Sequence, residues 1–175
     1  MSRTIRTRLS RNHDRKRFDC GVEALNHFLR NTARRQDERS LVRTRVFVDP
    51  DQPSTIQAWY ATAPCEIQPP PGVSAWQGYP HPIPALRLTR LACDRRYQGQ
   101  GFGELALVSA IRDAVAIERS YTAIGGLVVD AKDDSALQFY KRYGFWRIEP
   151  DGYQLFLSIR ECESIVDEME DDEYD

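Results

Sequence analysis

One stretch of this sequence has the residue types and order needed to hold an anion. Residues 90–103 read Arg-Leu-Ala-Cys-Asp-Arg-Arg-Tyr-Gln-Gly-Gln-Gly-Phe-Gly: a strand, then glycines, then the start of a long helical pattern. Such a turn aims several backbone N–H groups and a helix N-terminus at one point, which favours phosphate. Glycine admits positive φ and lets the backbone approach an anion closely. Arg95 and Arg96 add charge beside it. A Walker loop needs Gly-Lys-Ser/Thr, which is missing, and a Rossmann fingerprint needs glycine at 104, where glutamate stands. What remains is Gln98-x-x-Gly101-x-Gly103. The plain alternative is a glycine-rich strand-to-helix turn with no ligand.

A second segment, residues 133–145, carries Tyr140. Ala136, Phe139, Tyr140 and Tyr143 recur at i, i+3, i+4 and i+7, so on spacing alone Tyr140 reads as a packing residue. Cys20, Cys65, Cys93 and Cys162 are scattered, as are the three histidines, and no C-x-x-C occurs. That pattern argues against a metal site and a disulfide framework, and makes a reducing cytoplasm the expected compartment. Cys93 has no histidine near it in sequence and reads as a packed strand cysteine rather than a nucleophile.

These segments need elements to hold them. The spacing predicts strands over residues 4–9, 44–48, 56–63, 85–93, 124–129, 145–148 and 153–159. It predicts helices over 22–29, 31–39, 101–119 and from Asp133 to Gly144. In the third helix, Leu105, Val108, Ile111 and Val115 form the expected apolar stripe. Residues 64–84 hold many prolines and glycines and read as one long connection carrying Trp76 and Tyr79. Trp59 reads as core. The class is mixed α/β.

Length and charge bound the rest. The 175 residues suit one domain over 1–160, and no run reaches the ~18 apolar residues that span a bilayer. No apolar segment of a secretory signal follows the N-terminus. The net charge of −2 hides an asymmetry: residues 161–175 hold nine acidic residues and no basic one, and read as a disordered tail. Residues 1–50 hold 13 basic and 6 acidic residues, the entire basic excess of 1–160. Arginine dominates the cations, which suits a polyanion; the bland reading is a solvated face.

With these residues in place, the sequence resembles the GNAT acetyltransferases from Phe18 to Ser158. Gln98-x-x-Gly101-x-Gly103 looks like that family's motif A, and Asp133-x-x-Ala136-x-x-Phe139-Tyr140-x-x-x-Gly144-Phe145 like its motif B. Phe18-Asp-Cys-Gly-x-Glu-x-Leu-Asn-x-Phe-Leu29, with Pro82-Ile-Pro84 and Leu88-Thr-Arg90-Leu-Ala-Cys-Asp94, is similar to its toxin branch. Those toxins are paired with a ribbon-helix-helix antitoxin and acetylate the α-amine of aminoacyl-tRNA, stopping translation. The resemblance implies a largely antiparallel sheet with splayed middle strands, acetyl-CoA as co-substrate, a homodimer, and no membrane association.

It also implies roles. Leu91, Ala92 and Cys93 match the strand whose main chain binds the pantetheine arm. Gln98, Gly99, Gln100, Gly101, Phe102 and Gly103, with Arg96 nearby, match the pyrophosphate loop. Asp133 stands where the family has a cofactor-contacting asparagine, and a carboxylate cannot donate as an amide does. Tyr140 matches the catalytic tyrosine that protonates the departing thiolate. The amide of Cys93 is the candidate oxyanion donor. Arg34, Arg35, Arg87, Arg90 and Arg95 become candidates for a tRNA rim. Trp76 and Tyr79 are candidates for stacking on the terminal adenine or the aminoacyl group. Two other readings stay open: an acetyltransferase of a protein or small-molecule amine, and a non-enzymatic partner of a DNA-binding antitoxin.

Overall fold

Short caps and long apolar stripes set the elements in the computed structural model, which describes residues 3–172. The strands are β1 (Ile5–Arg8), β2 (Arg43–Asp49), β3 (Gln52–Ile67), β4 (Ile83–Cys93), β5 (Gly126–Asp130), β6 (Trp146–Arg147) and β7 (Gln154–Ser158). The helices are α1 (Glu23–Asn31), α2 (Ala33–Glu38), α3 (Phe102–Ser120), α4 (Asp134–Arg142) and α5 (Ile159–Asp172). The hydrogen-bonded strand order is β1-β2-β3-β4-β5-β7-β6. β4 and β5 pair in parallel, with Leu86 opposite Leu127 and Leu88 opposite Val129; β1–β2, β2–β3, β5–β7 and β6–β7 are antiparallel. This is the mixed, largely antiparallel architecture expected from the sequence.

The chain forms two compact units, residues 1–63 with 89–110, and residues 64–88 with 111–175. The first is built around Trp59, which has no exposed surface; its ring stacks on Phe28 at 5.7 Å and meets Phe18 edge-on at 6.3 Å. Leu29, Val46, Ile56 and Ala92 complete that core. Burying each such large side chain stabilises by roughly 1.5–3 kcal/mol. Beneath α2 lies a buried charge. Asp37, 3% exposed, accepts bonds from Arg8 Nε at 2.8 Å and the Thr44 N–H at 2.9 Å, and pairs with Arg43. In the second unit Val128, Ile83, Ala85 and Phe156 form the core, with Trp76 and Trp146 edge-on to Phe156.

Three expectations need correction. The connection after β3 is shorter than 64–84, because β3 continues through the exposed Pro64 to Ile67 and β4 begins at Ile83. On α3 Leu105 is 39% exposed, while Leu107 is fully buried with Ile111 and Val115. Residues 161–172 are helical rather than disordered; residues 173–175 lie outside the described residues. The signal for α5 was present in sequence. The Ser158 N–H donates to Glu161 Oε2 at 2.7 Å and the Glu161 N–H donates to Ser158 Oγ at 3.3 Å, a capping box. Cys162 and Val166 then bury one face.

Asp37→Ala strips two arginines and a backbone N–H of their acceptor. It should cost about 3 kcal/mol, read as a lowered urea midpoint; an unchanged midpoint would remove Asp37 from the account.

Candidate active site

In the first unit the end of β4 is fastened before the glycines begin. Asp94, 1% exposed, is the fastener. Its Oδ1 accepts the Arg96 N–H and Arg96 Nε, each at 2.9 Å, and its Oδ2 accepts Arg96 NH2 at 3.0 Å and the Asp19 N–H at 3.1 Å. Its own N–H donates to the Gln57 carbonyl at 3.0 Å. Burial pushes the Asp94 carboxyl up, but the Arg96 fork and the N–H groups of Arg96 and Asp19 outweigh it and hold the pKa below its ordinary value. Arg96, expected near a bound phosphate, is thus committed to Asp94.

The turn at residues 19–21 packs against the same strand end. Asp19 Oδ1 accepts the Gly21 N–H and Asn26 Nδ2, each at 2.9 Å, and Asn26 Oδ1 accepts the Cys20 N–H at 2.9 Å. Gly21 takes φ +85°, and a Cβ there would stand 3.0 Å from Arg95 Nε. Gln98 joins the two segments: its Nε2 donates to the carbonyls of Cys20 at 3.2 Å and Cys93 at 3.1 Å. These contacts give Asp19, Gly21 and Asn26 their structural reason near the start of the chain.

Beyond Gln98 the loop is open. Gly99 and Gly101 have φ of +76° and +86°, which only glycine adopts cheaply. A Cβ at either would meet nothing within 4 Å, so the space beside the loop is available to a ligand. Residues 98–101 are exposed, and α3, 19 residues long, begins at Phe102. Leu91, Ala92 and Cys93 end β4. The Cys93 thiol is pushed up to about 11 by burial, with the Asp94 charge and Cys20 adding to it. That leaves almost no thiolate at neutral pH, as expected of a packing cysteine.

The candidate rim divides. Arg34 pairs with Glu38 on α2 and Arg35 is exposed. Arg90 lies 3.7 Å over the Phe28 ring, and Arg95 is 3.7 Å from Asp19. Arg87 belongs to the second unit, where it pairs with Asp130. Of these arginines, Arg35 is the one for which the structure draws no ion pair or ring contact among the described residues.

Also in the second unit, Tyr140 sits on α4. Asp133 caps that helix, with Oδ1 accepting the Ala136 N–H at 2.8 Å. Gly144 ends it at φ +92°. Asp133, expected at the cofactor, thus spends one carboxylate oxygen on the cap. Tyr140 is 8% exposed, its ring 5.2 Å from Phe139 and 5.7 Å from Phe145. Burial pushes its phenol up to about 12, so it keeps its proton throughout neutral pH. Trp76 packs edge-on to Phe156, and a Cβ on Gly125 would stand 2.7 Å from the Trp76 ring, so this tryptophan is a packing residue. Tyr79 is half exposed beside His81. Among the described residues no helix is long and apolar enough to cross a membrane.

Because Asp94 titrates below its unfolded value, its contribution is complete above pH 3.8 and is lost as pH falls through the folded value. Asp94→Asn should lower the urea midpoint at pH 7 and flatten its decline below pH 4; parallel acid limbs in both proteins would refute this.

Comparison with known proteins agrees with this anatomy. Residues 78–158 match the acetyltransferase (GNAT) domain family. The tRNA-acetylating toxin of Mycobacterium tuberculosis is 32% identical over 87 residues, 50% of this chain and 52% of that protein, so the chain matches about half the length of that relative. A probable toxin TacT of Sinorhizobium fredii is 24% identical over 163 residues, 88% of this chain and 90% of that one. Among solved structures, AtaT complexed with acetyl-methionyl-tRNAfMet has a TM-score of 0.85 at 28% identity, covering 94% of this chain and 99% of that one. AtaTR bound with acetyl-CoA has 0.83 at 28%, covering 95% and 99%. A tyrosine-to-phenylalanine variant of AtaT bound to the C-terminus of the antitoxin AtaR has 0.79 at 28%, covering 93% and 97%. Sheet order, glycine loop, capped α4 and these matches converge: residues 78–158 match the GNAT acetyltransferase domain, and the chain shares the fold of the AtaT structures.

Proposed function

We propose that the protein is an acetyl-CoA-dependent N-acetyltransferase toxin that acetylates the α-amine of aminoacyl-tRNA and so blocks translation. The glycine loop carries this reading: two left-handed glycines beside open space at the head of α3 fit a pyrophosphate. The acceptor is supported by the tRNA-acetylating relative and by the AtaT complex with acetyl-methionyl-tRNA. The reading takes residues 1–160 as one catalytic domain.

When bound, acetyl-CoA supplies the acetyl group as a thioester. The backbone N–H groups of residues 98–103 hold the pyrophosphate, and the main chain of Leu91, Ala92 and Cys93 holds the pantetheine arm. The Cys93 N–H donates to the oxygen on which negative charge develops. Tyr140 is the proton donor to the departing sulfur. Its raised pKa excludes a role as base at neutral pH. No side-chain base is required: a free α-amine titrates near ~7.7–8.0 and is partly neutral at pH 7.

Arg34, Arg35, Arg90 and Arg95 supply basic contacts to the acceptor stem, with Arg87 a further candidate. A ribbon-helix-helix antitoxin, a homodimeric assembly and a cytoplasmic location complete the proposal, the first supported by the AtaT complex with the C-terminus of AtaR.

Incubation with radiolabelled acetyl-CoA and charged total tRNA, followed by mapping of the label, tests the reaction. Label on the α-amine of the aminoacyl group is the expected result; label on protein or free amines alone overturns the acceptor. Tyr140→Phe removes one oxygen and little volume. It should keep acetyl-CoA affinity, slow transfer at least ~100-fold, and abolish growth inhibition. Near-normal single-turnover chemistry would make Tyr140 a packing residue. Arg34→Glu/Arg35→Glu should weaken tRNA binding and reduce its salt dependence, with acetyl-CoA affinity unchanged; a flat salt response in the parent protein would point to a small amine instead.

A further inference from the structure

Where β4 and β5 begin, the second unit holds a cavity of about 270 Å³. Trp76, Ile83, Pro84, Ile124 and Ile159 make its lining mostly apolar, and Arg160 is the charged residue in it. None of these residues takes part in the proposed acetyl transfer. The backbone at Gly125 is already satisfied: its N–H donates to the Pro84 carbonyl at 2.8 Å, and its carbonyl accepts the Ile159 N–H at 2.9 Å. Trp76 can lie here because residue 125 is glycine; a Cβ there would stand 2.7 Å from the Trp76 ring and 2.9 Å from Ile83 Cδ1. Arg160 is exposed and has no ion pair among the described residues. The acids beside it on α5 are committed elsewhere. Glu161 Oε2 accepts the Ser158 N–H at 2.7 Å and Trp146 Nε1 at 3.2 Å, and Glu163 faces Arg119 at 3.8 Å. Arg160 also stands in the first turn of α5, the end of a helix that carries partial positive charge.

We propose that this cavity binds a small aryl carboxylate, its ring against Trp76 and Ile124 and its carboxylate at Arg160. Size and lining select the body of the ligand. An apolar cavity of about 150 Å³ already holds benzene, so this one has room for a pair of fused rings. Taking such a ring out of water is favourable, and the Trp76 ring offers it an aromatic partner. Charge selects the head. A wholly apolar ligand leaves Arg160 without a partner, and a cation is repelled by Arg160 and by the helix end together. A carboxylate matches the guanidinium fork with paired hydrogen bonds. The assignment stands apart from the acetyl-transfer reading and does not rest on it.

Calorimetry of the full chain with 1-naphthylacetate, its neutral amide and acetate tests the assignment. The naphthyl acid should bind, the amide should bind roughly 5-fold more weakly, and acetate should not bind measurably. The preference for the acid should shrink as salt is added, because Arg160 is exposed. Arg160→Gln should erase that preference while leaving the amide's affinity unchanged. Ala123→Phe, at an exposed position of the lining, should fill the cavity and abolish binding of both naphthyl compounds. Thermal melts of both variants check that the fold is retained, and Arg160→Gln keeps the test alive should Ala123→Phe not fold. No binding of the naphthyl acid to the parent protein overturns the proposal. So does equal affinity for acid and amide, or unchanged binding in a folded Ala123→Phe protein. Displacement of the naphthyl acid by acetyl-CoA would place it in the glycine-loop site and overturn the proposal as well; simultaneous binding of the two supports it.

Discussion

The glycine loop depends on a carboxylate that has been taken out of water. A lone buried charge is strongly unfavourable, so Asp94 is tolerable only while every lone pair is occupied. The partners that occupy them come from three places: the turn at Asp19, the short 3-10 turn of residues 95–97, and the Arg96 fork. Satisfying the charge therefore fixes where β4 stops and where the glycines start. The glycines themselves hold nothing; they are free to face a ligand because the residues before them are held so firmly.

Burial also sorts the reactive groups. It raises Cys93, Cys162 and Tyr140 alike, because each would become an anion on losing its proton. For the thiols the result is inertness, which leaves no covalent nucleophile among these candidates. For the phenol it is a retained proton, which an acid needs. One physical effect thus leaves the two thiols inert and the phenol protonated.

The local features were legible and the long-range ones were not. The loop, the capped start of α4 and its glycine stop are written in neighbouring residues, so strand, turn and helix followed from reading along the chain. Leu105 and Leu107 lie two positions apart on a helix with a wide apolar face, and spacing could not say which would find a partner. The α5 helix was missed because the run of acidic residues outweighed a two-residue capping signal and a narrow stripe. Arg96 stands on the loop as expected, and its pairing with Asp94 two residues away is a contact that spacing alone did not announce.

Gln98 touches Cys20 across 78 positions, and Asp94 touches Asp19 across 75. In each contact the turn offers a backbone atom and the loop offers a side chain. The loop thus reads the shape of the turn rather than its side chains. Whatever sets the backbone path at residues 19–21 also sets where the glycines stand.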